Sequence, residues 1–232
     1  MDRLSDRFRL IAPDLYGHGR TLPWPDRRGM HVDDEVDLLE PVFRSAGNRF
    51  HLIGHSWGGA IALKAALRHL PRLLSLVLFE PALWSLLIAD DPCSAPAREI
   101  ITNRDETQRL IDGKDYAGAG EYFIDYWIGP GTWKGMTEER RSAFAVGMRA
   151  ASPEWHASWN EATPLAAFAA VDVPTLLLSG TKSTAPARAI TTLLSSVLPH
   201  AEILQLEGTG HMGPVTNQEV VNSAIEDFLL RR

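Results

Sequence analysis

Residues 50–60 read FHLIGHSWGGA. An apolar run of strand length enters Gly54-His55-Ser56-Trp57-Gly58, and residues 58–69, rich in alanine and leucine, follow as a helix. Gly-x-Ser-x-Gly between a strand and a helix is the nucleophile elbow. Its spacing has a physical cause. A serine lifted on a sharp, strained turn needs glycine at the flanking positions, where neighbouring chain comes close. A helix that starts at the serine aims its first amides, and the positive end of its dipole, at the hydroxyl. Such a serine is a candidate nucleophile, and the backbone N–H of Trp57 is a candidate oxyanion donor.

The same alternation recurs along the chain. Residues 8–15 (FRLIAPDL) read as a strand before the Gly17-His18-Gly19 turn. Residues 32–46 have helical spacing, with Val36, Leu39, Val42 and Phe43 about one turn apart. Residues 73–79 and 175–179 are apolar without alternation, as expected of strands buried on both faces. A helix over 186–198 and a strand over 202–206 follow. Thr216 and Glu219 have the spacing of a capping box that opens a last helix. Strands alternating with helices predict an α/β fold, a mostly parallel sheet flanked by helices. The stretch 85–165 breaks the pattern: it has no clear strand, and five of the seven tryptophans lie within it or at its edge. It reads as a helical lid inserted between two strands, which makes 1–84 and 166–232 the core.

DLYGHGRT at 14–21, GHSWGGA at 54–60, VPTLLLSG at 173–180 and GTGHMGP at 208–214 together resemble the α/β-hydrolase fold, in its lid-bearing serine esterase form. The resemblance spans nearly all of the chain outside the insertion. It implies that His211, in the Gly-rich loop after the 202–206 strand, is the general base. A base on a loop can swing onto the serine hydroxyl. His18 has a loop-shaping role in that family, and the side chain of His55 is expected to leave away from Ser56. The resemblance also implies more chain before the present start: two or three strands and a His-Gly turn that carries a second oxyanion donor. Met1 is then read as an internal methionine, and the strand over 50–53 is expected to leave an apolar edge.

The family places its acid a few residues after the strand over 173–179. Ser183 occupies that position, and from Pro174 to Ala201 there is no aspartate or glutamate. Either serine and histidine work as a dyad or another strand end supplies the carboxylate. Glu80, in LVLFEPALW at 76–84, closes the strand after the elbow helix and is the natural candidate. Certain haloalkane dehalogenases of the same fold carry their acid at that strand end, and the order Ser56, Glu80, His211 is the fold's serine–acid–histidine order. Glu207, four residues before His211, is the rival. Asp14 reads as a turn-shaping residue.

These assignments predict cleavage of a carboxylic ester through an acyl-enzyme. Opening of a lactone, hydrolysis of a C–C bond and perhydrolysis share the same groups and stay open, as does an inert or ligand-binding relative. Serine at position 56 argues against dehalogenase or epoxide hydrolase chemistry, which uses aspartate there. The aromatic insertion points to a small apolar ester-like substrate, with Trp84 and Trp127 as candidate pocket walls; the same tryptophans would also serve to pack the insertion. No cofactor is implied, and no His/Cys/Asp/Glu spacing suits a metal. A net charge of −6 lacks the basic excess of a nucleic-acid surface. No apolar run is long enough to span a membrane comfortably, and the charged first ten residues do not read as a signal peptide. The single cysteine requires no oxidising compartment, so the expected location is the cytoplasm.

Overall fold

The computed structural model describes residues 2–25, 28–148 and 152–232, so Met1, residues 26–27 and residues 149–151 of the insertion lie outside it. Its elements run α1 (Asp2–Ser5), α2 (Val32–Ser45), β1 (Phe50–His55), α3 (Ser56–His69) and β2 (Leu73–Phe79). Six helices follow: α4 (Trp84–Asp90), α5 (Ala95–Asp112), α6 (Tyr116–Trp127), α7 (Thr132–Gly135), α8 (Glu138–Met148) and α9 (Ser152–Asn160). The chain ends with β3 (Thr175–Gly180), α10 (Ala185–Ser195), β4 (Ala201–Leu206), α11 (Gly213–Thr216) and α12 (Gln218–Leu229).

The four strands form one parallel sheet in the order β1-β2-β3-β4. Leu76 and Leu78 of β2 and Leu177 of β3 face a core shared with α2, α3 and α10. Val77 and Phe79, with Leu176 and Leu178, face the opposite layer, built mainly by α12. Both faces of the central strands are therefore covered, which is why their sequences are apolar without alternation. The edges differ from the centre. Ile53 on β1 is 42% exposed, and Ile203 and Leu204 on β4 are also exposed. The expected apolar edge is thus seen at β1, and at β4 as well.

Residues 8–15 do not form the expected strand. Phe8 and Leu10 pack onto the α12-side core instead, and Phe8 meets the His51 ring edge-on. Extended backbone becomes a strand only where a neighbouring ladder pairs its N–H and C=O groups, and Pro13 lacks a donor. The last helix also starts later than expected. Asn217 is its N-cap, and Thr216 belongs to the preceding turn, its hydroxyl donating to the Met212 carbonyl. The capping box of Thr216 and Glu219 does not form, because Pro214 and its neighbours first make the short helix α11.

Among the described residues, the stretch between β2 and β3 holds helices and no strand. Several contacts tie it to the sheet side, among them Lys64 on α3, which pairs with Glu161 at 2.8 Å. Ser158 on α9 donates to the Ala82 carbonyl, and Glu154 on α9 meets His18 Nε2 at 2.5 Å. No helix among the described residues is long and apolar enough to cross a membrane.

Candidate active site

The sequence after β1 and β2 turns sharply at two side-chain-bearing residues. Ser56 has φ 51° and Glu80 has φ 45°, both in the left-handed region that residues with a Cβ rarely adopt. Each costs on the order of 1–3 kcal/mol and persists only where the surroundings hold it. These turns lift one hydroxyl and one carboxylate at the carboxyl ends of neighbouring strands. The elbow needs glycine at position 54, where a Cβ would stand 2.3 Å from the Gly58 carbonyl oxygen. Gly58 departs from expectation. A Cβ there meets nothing within 4 Å, and the residue borders a cavity, so a side chain would enter free space rather than backbone.

His211 reaches this place on the loop between β4 and α11. The loop sits against the end of β3: Lys182 N–H donates to the Thr209 carbonyl, and Gly208 N–H donates to Thr181 Oγ1. Gly180 permits that approach, since a Cβ would stand 2.0 Å from the Thr209 carbonyl oxygen. The imidazole bridges the two strand ends. Its Nδ1 lies 2.7 Å from Glu80 Oε2 and its Nε2 lies 3.0 Å from Ser56 Oγ. A carboxylate only accepts, so Nδ1 donates and Nε2 is left to accept the serine hydroxyl proton. Glu80 is fully buried, and its second oxygen accepts the Gly180 amide at 2.8 Å. Both its oxygens are paired, which answers the cost of burying a carboxylate.

Of the residues singled out in the sequence, Ser56, Glu80 and His211 form one hydrogen-bonded line. Trp57 follows Ser56 at the start of α3, where helix amides have no partner within the helix. Trp84 and Trp127 stack on each other with centroids 5.7 Å apart, and the Trp127 ring lies 4.5 Å from that of His211. Glu207 is exposed and its carboxylate joins no contact with His211. Ser183 is buried and its Oγ has no partner among the described residues. Asp14 shapes its turn, accepting the Arg20 amide.

His55 has a part that sequence reasoning did not give it: Nε2 donates to the His211 carbonyl at 2.8 Å, and the two rings are 5.0 Å apart. Burial, with the neighbouring His211, pushes its pKa down to about 4, so it is a neutral donor. Nothing in the spacing signalled this, because the bond crosses 156 positions of sequence. Glu35 on α2 was also unforeseen. It is fully buried and accepts the Tyr16 amide at 3.3 Å, and burial raises its pKa.

Ser56 and His211 border a cavity of about 340 Å³, with Trp84, Trp127, Trp155 and Trp159 also among its walls. Trp133 is not part of it. It packs against Gly120 and Phe144 within the helical segment.

A parallel sheet flanked by helices, with an elbow serine, an acid and a histidine at its carboxyl edge, is the arrangement of a hydrolase of the α/β class. The chain belongs to the alpha/beta hydrolase family, whose model matches residues 1–224. It is similar to the "Putative carbamate hydrolase RutD" of Pantoea ananatis, at 29% identity over 99% of this chain and 81% of that protein. It is also similar to "Lipase 3" of a Moraxella species, at 25% identity over 97% of this chain and 70% of that protein. An alpha/beta hydrolase structure from Sphaerobacter thermophilus superposes with a TM-score of 0.67 at 23% identity, covering 98% of this chain and 84% of that one.

Proposed function

We propose that this chain is a serine hydrolase that cleaves a carboxylic ester or a related carbonyl substrate through an acyl-enzyme. Ser56 Oγ attacks the carbonyl carbon while His211 Nε2 takes its proton. Glu80 holds the imidazole in the required tautomer and stabilises the imidazolium that forms. The Trp57 amide, at the positive end of α3, binds the developing oxyanion. His211 then protonates the leaving group, and water, activated by the same histidine, releases the acid. Residues 85–165 act as a lid whose aromatic side chains wall an apolar pocket, with Trp84 and Trp127 nearest the reacting carbonyl.

The observation that carries this reading is the line from Ser56 Oγ through His211 to Glu80, with separations of 3.0 and 2.7 Å. The elbow geometry and the family of the chain support it. The likeness, over 99% of this chain and 81% of that protein, to a protein named as a putative carbamate hydrolase supports including carbamates beside esters in the substrate class. A fluorophosphonate probe tests the chemistry directly. Labelling of the wild-type chain, lost in Ser56→Ala and His211→Ala, is expected. Absence of labelling in folded wild-type protein overturns the reading in favour of a non-catalytic relative. A panel of p-nitrophenyl esters and carbamates of rising chain length then locates the substrate.

A further inference from the structure

His211 rides on a loop that glycine makes pliant. Gly208, Gly210 and Gly213 flank it, and Gly208 has φ 70°. A working base must stay within about 0.5 Å of its productive position, so such a backbone needs anchors from outside. Ahead of the histidine, Thr181 Oγ1 and the Lys182 amide hold Gly208 and Thr209. At the peptide of His211 itself the anchor is a side chain: His55 Nε2 donates to its carbonyl at 2.8 Å. His55 and Ser56 are consecutive, and consecutive residues of a strand point to opposite faces. The left-handed turn at Ser56 ends that alternation, and both side chains reach one residue. Ser56 Oγ meets the His211 ring at 3.0 Å while His55 meets its main chain.

The His55 ring is held in turn. Phe79 packs against it edge-on, with centroids 5.5 Å apart. The titratable groups that face it are His211 and Glu80, and in their company it stays neutral, with a pKa of about 4. A neutral donor suits this place. A lysine or arginine there would set a positive charge beside the imidazolium that His211 becomes during attack, and disfavour it. We propose that His55 is a positioning residue for the general base: by gripping the His211 carbonyl it fixes the backbone from which the imidazole spans Ser56 and Glu80. This rests on the hydrolase reading, since it gives His55 a part in turnover and not in stability alone.

Two variants of matched length isolate the bond. His55→Gln keeps an N–H donor and His55→Met does not. With p-nitrophenyl butyrate as substrate, kcat should fall about 10- to 100-fold in His55→Met, with KM within about twofold of wild type. His55→Gln should keep kcat within about threefold. Equal kcat in the two variants, whether both low or both at the wild-type level, overturns the proposal, because the ring then acts by packing or not at all. Melting temperatures are measured first, and His55→Leu replaces the methionine variant if the latter does not fold. A second readout needs no turnover: the downfield proton resonance of His211 Nδ1–H, which bridges to Glu80. It should hold its position in His55→Gln and shift or broaden in His55→Met; an unchanged resonance in the methionine variant also overturns the proposal. If the folded wild type neither labels with the fluorophosphonate nor cleaves the ester, while the resonance still responds to His55→Met, the hydrolase reading falls and His55 remains the anchor of His211.

Discussion

The sheet tips and the helical segment above them solve different problems with different materials. At the tips, Ser56 and Glu80 are fixed by strained turns, and every polar atom of the Glu80 carboxylate is satisfied by His211 or Gly180. In the helical segment, large aromatic rings, among them Trp127, Trp155 and Trp159, face the cavity. A satisfied, strained network suits chemistry, since its groups must not rearrange during the reaction. An aromatic-walled pocket suits recognition of an apolar group, since its side chains can repack around a ligand without disturbing the strand ends.

Substitutions at the two regions should therefore fail in different ways. The largest effect is expected from Ser56→Ala or His211→Ala, with kcat falling by about 10⁴ or more while ligand binding persists. Glu80→Gln comes next. It keeps the shape but removes the charge that fixes the tautomer, and kcat should fall by about 10²–10⁴. Glu207→Gln should stay within about twofold in the same assay. A large loss in Glu207→Gln with Glu80→Gln unaffected would move the acid to the other strand.

His55 tests how firmly the tips are held. Its folded pKa of about 4 lies below the ordinary value of 6.5, so between those two values the unfolded chain binds the extra proton. Stability is then full above pH 6.5 and declines as the pH falls towards 4, by on the order of 3 kcal/mol for this group. Thermal melts of wild type and His55→Gln across pH 7.5 to 4.5 should show the wild type losing more on acidification. Parallel curves would mean that His55 does not carry the sensitivity. The smallest effect is expected above the cavity. Trp127→Phe keeps an aromatic ring near His211 and should shift KM by only a few-fold, with kcat nearly unchanged.

The sheet was largely legible because buried parallel strands are written as unbroken apolar runs, as in residues 73–79 and 175–180. Residues 8–15 are also partly apolar yet form no ladder, since pairing depends on a partner that local sequence does not specify. The candidate acid was reached from an absence, Ser183 at the usual position, joined to one glutamate at a strand end. The bond from His55 to the His211 carbonyl left no trace in the sequence. It depends on which rotamers meet across distant segments, and no periodicity encodes that.

The three groups of the proposed relay are far apart along the chain. Glu80 precedes His211 by 131 residues and Ser56 precedes it by 155. A ribosome that has finished the elbow and the acid has therefore made a serine with nothing to accept its proton. The hydroxyl stays inert until β4 has paired with β3 and the last loop has docked. Serine reactivity is then a late event in folding, and the appearance of probe labelling during refolding would report the arrival of the C-terminal strand.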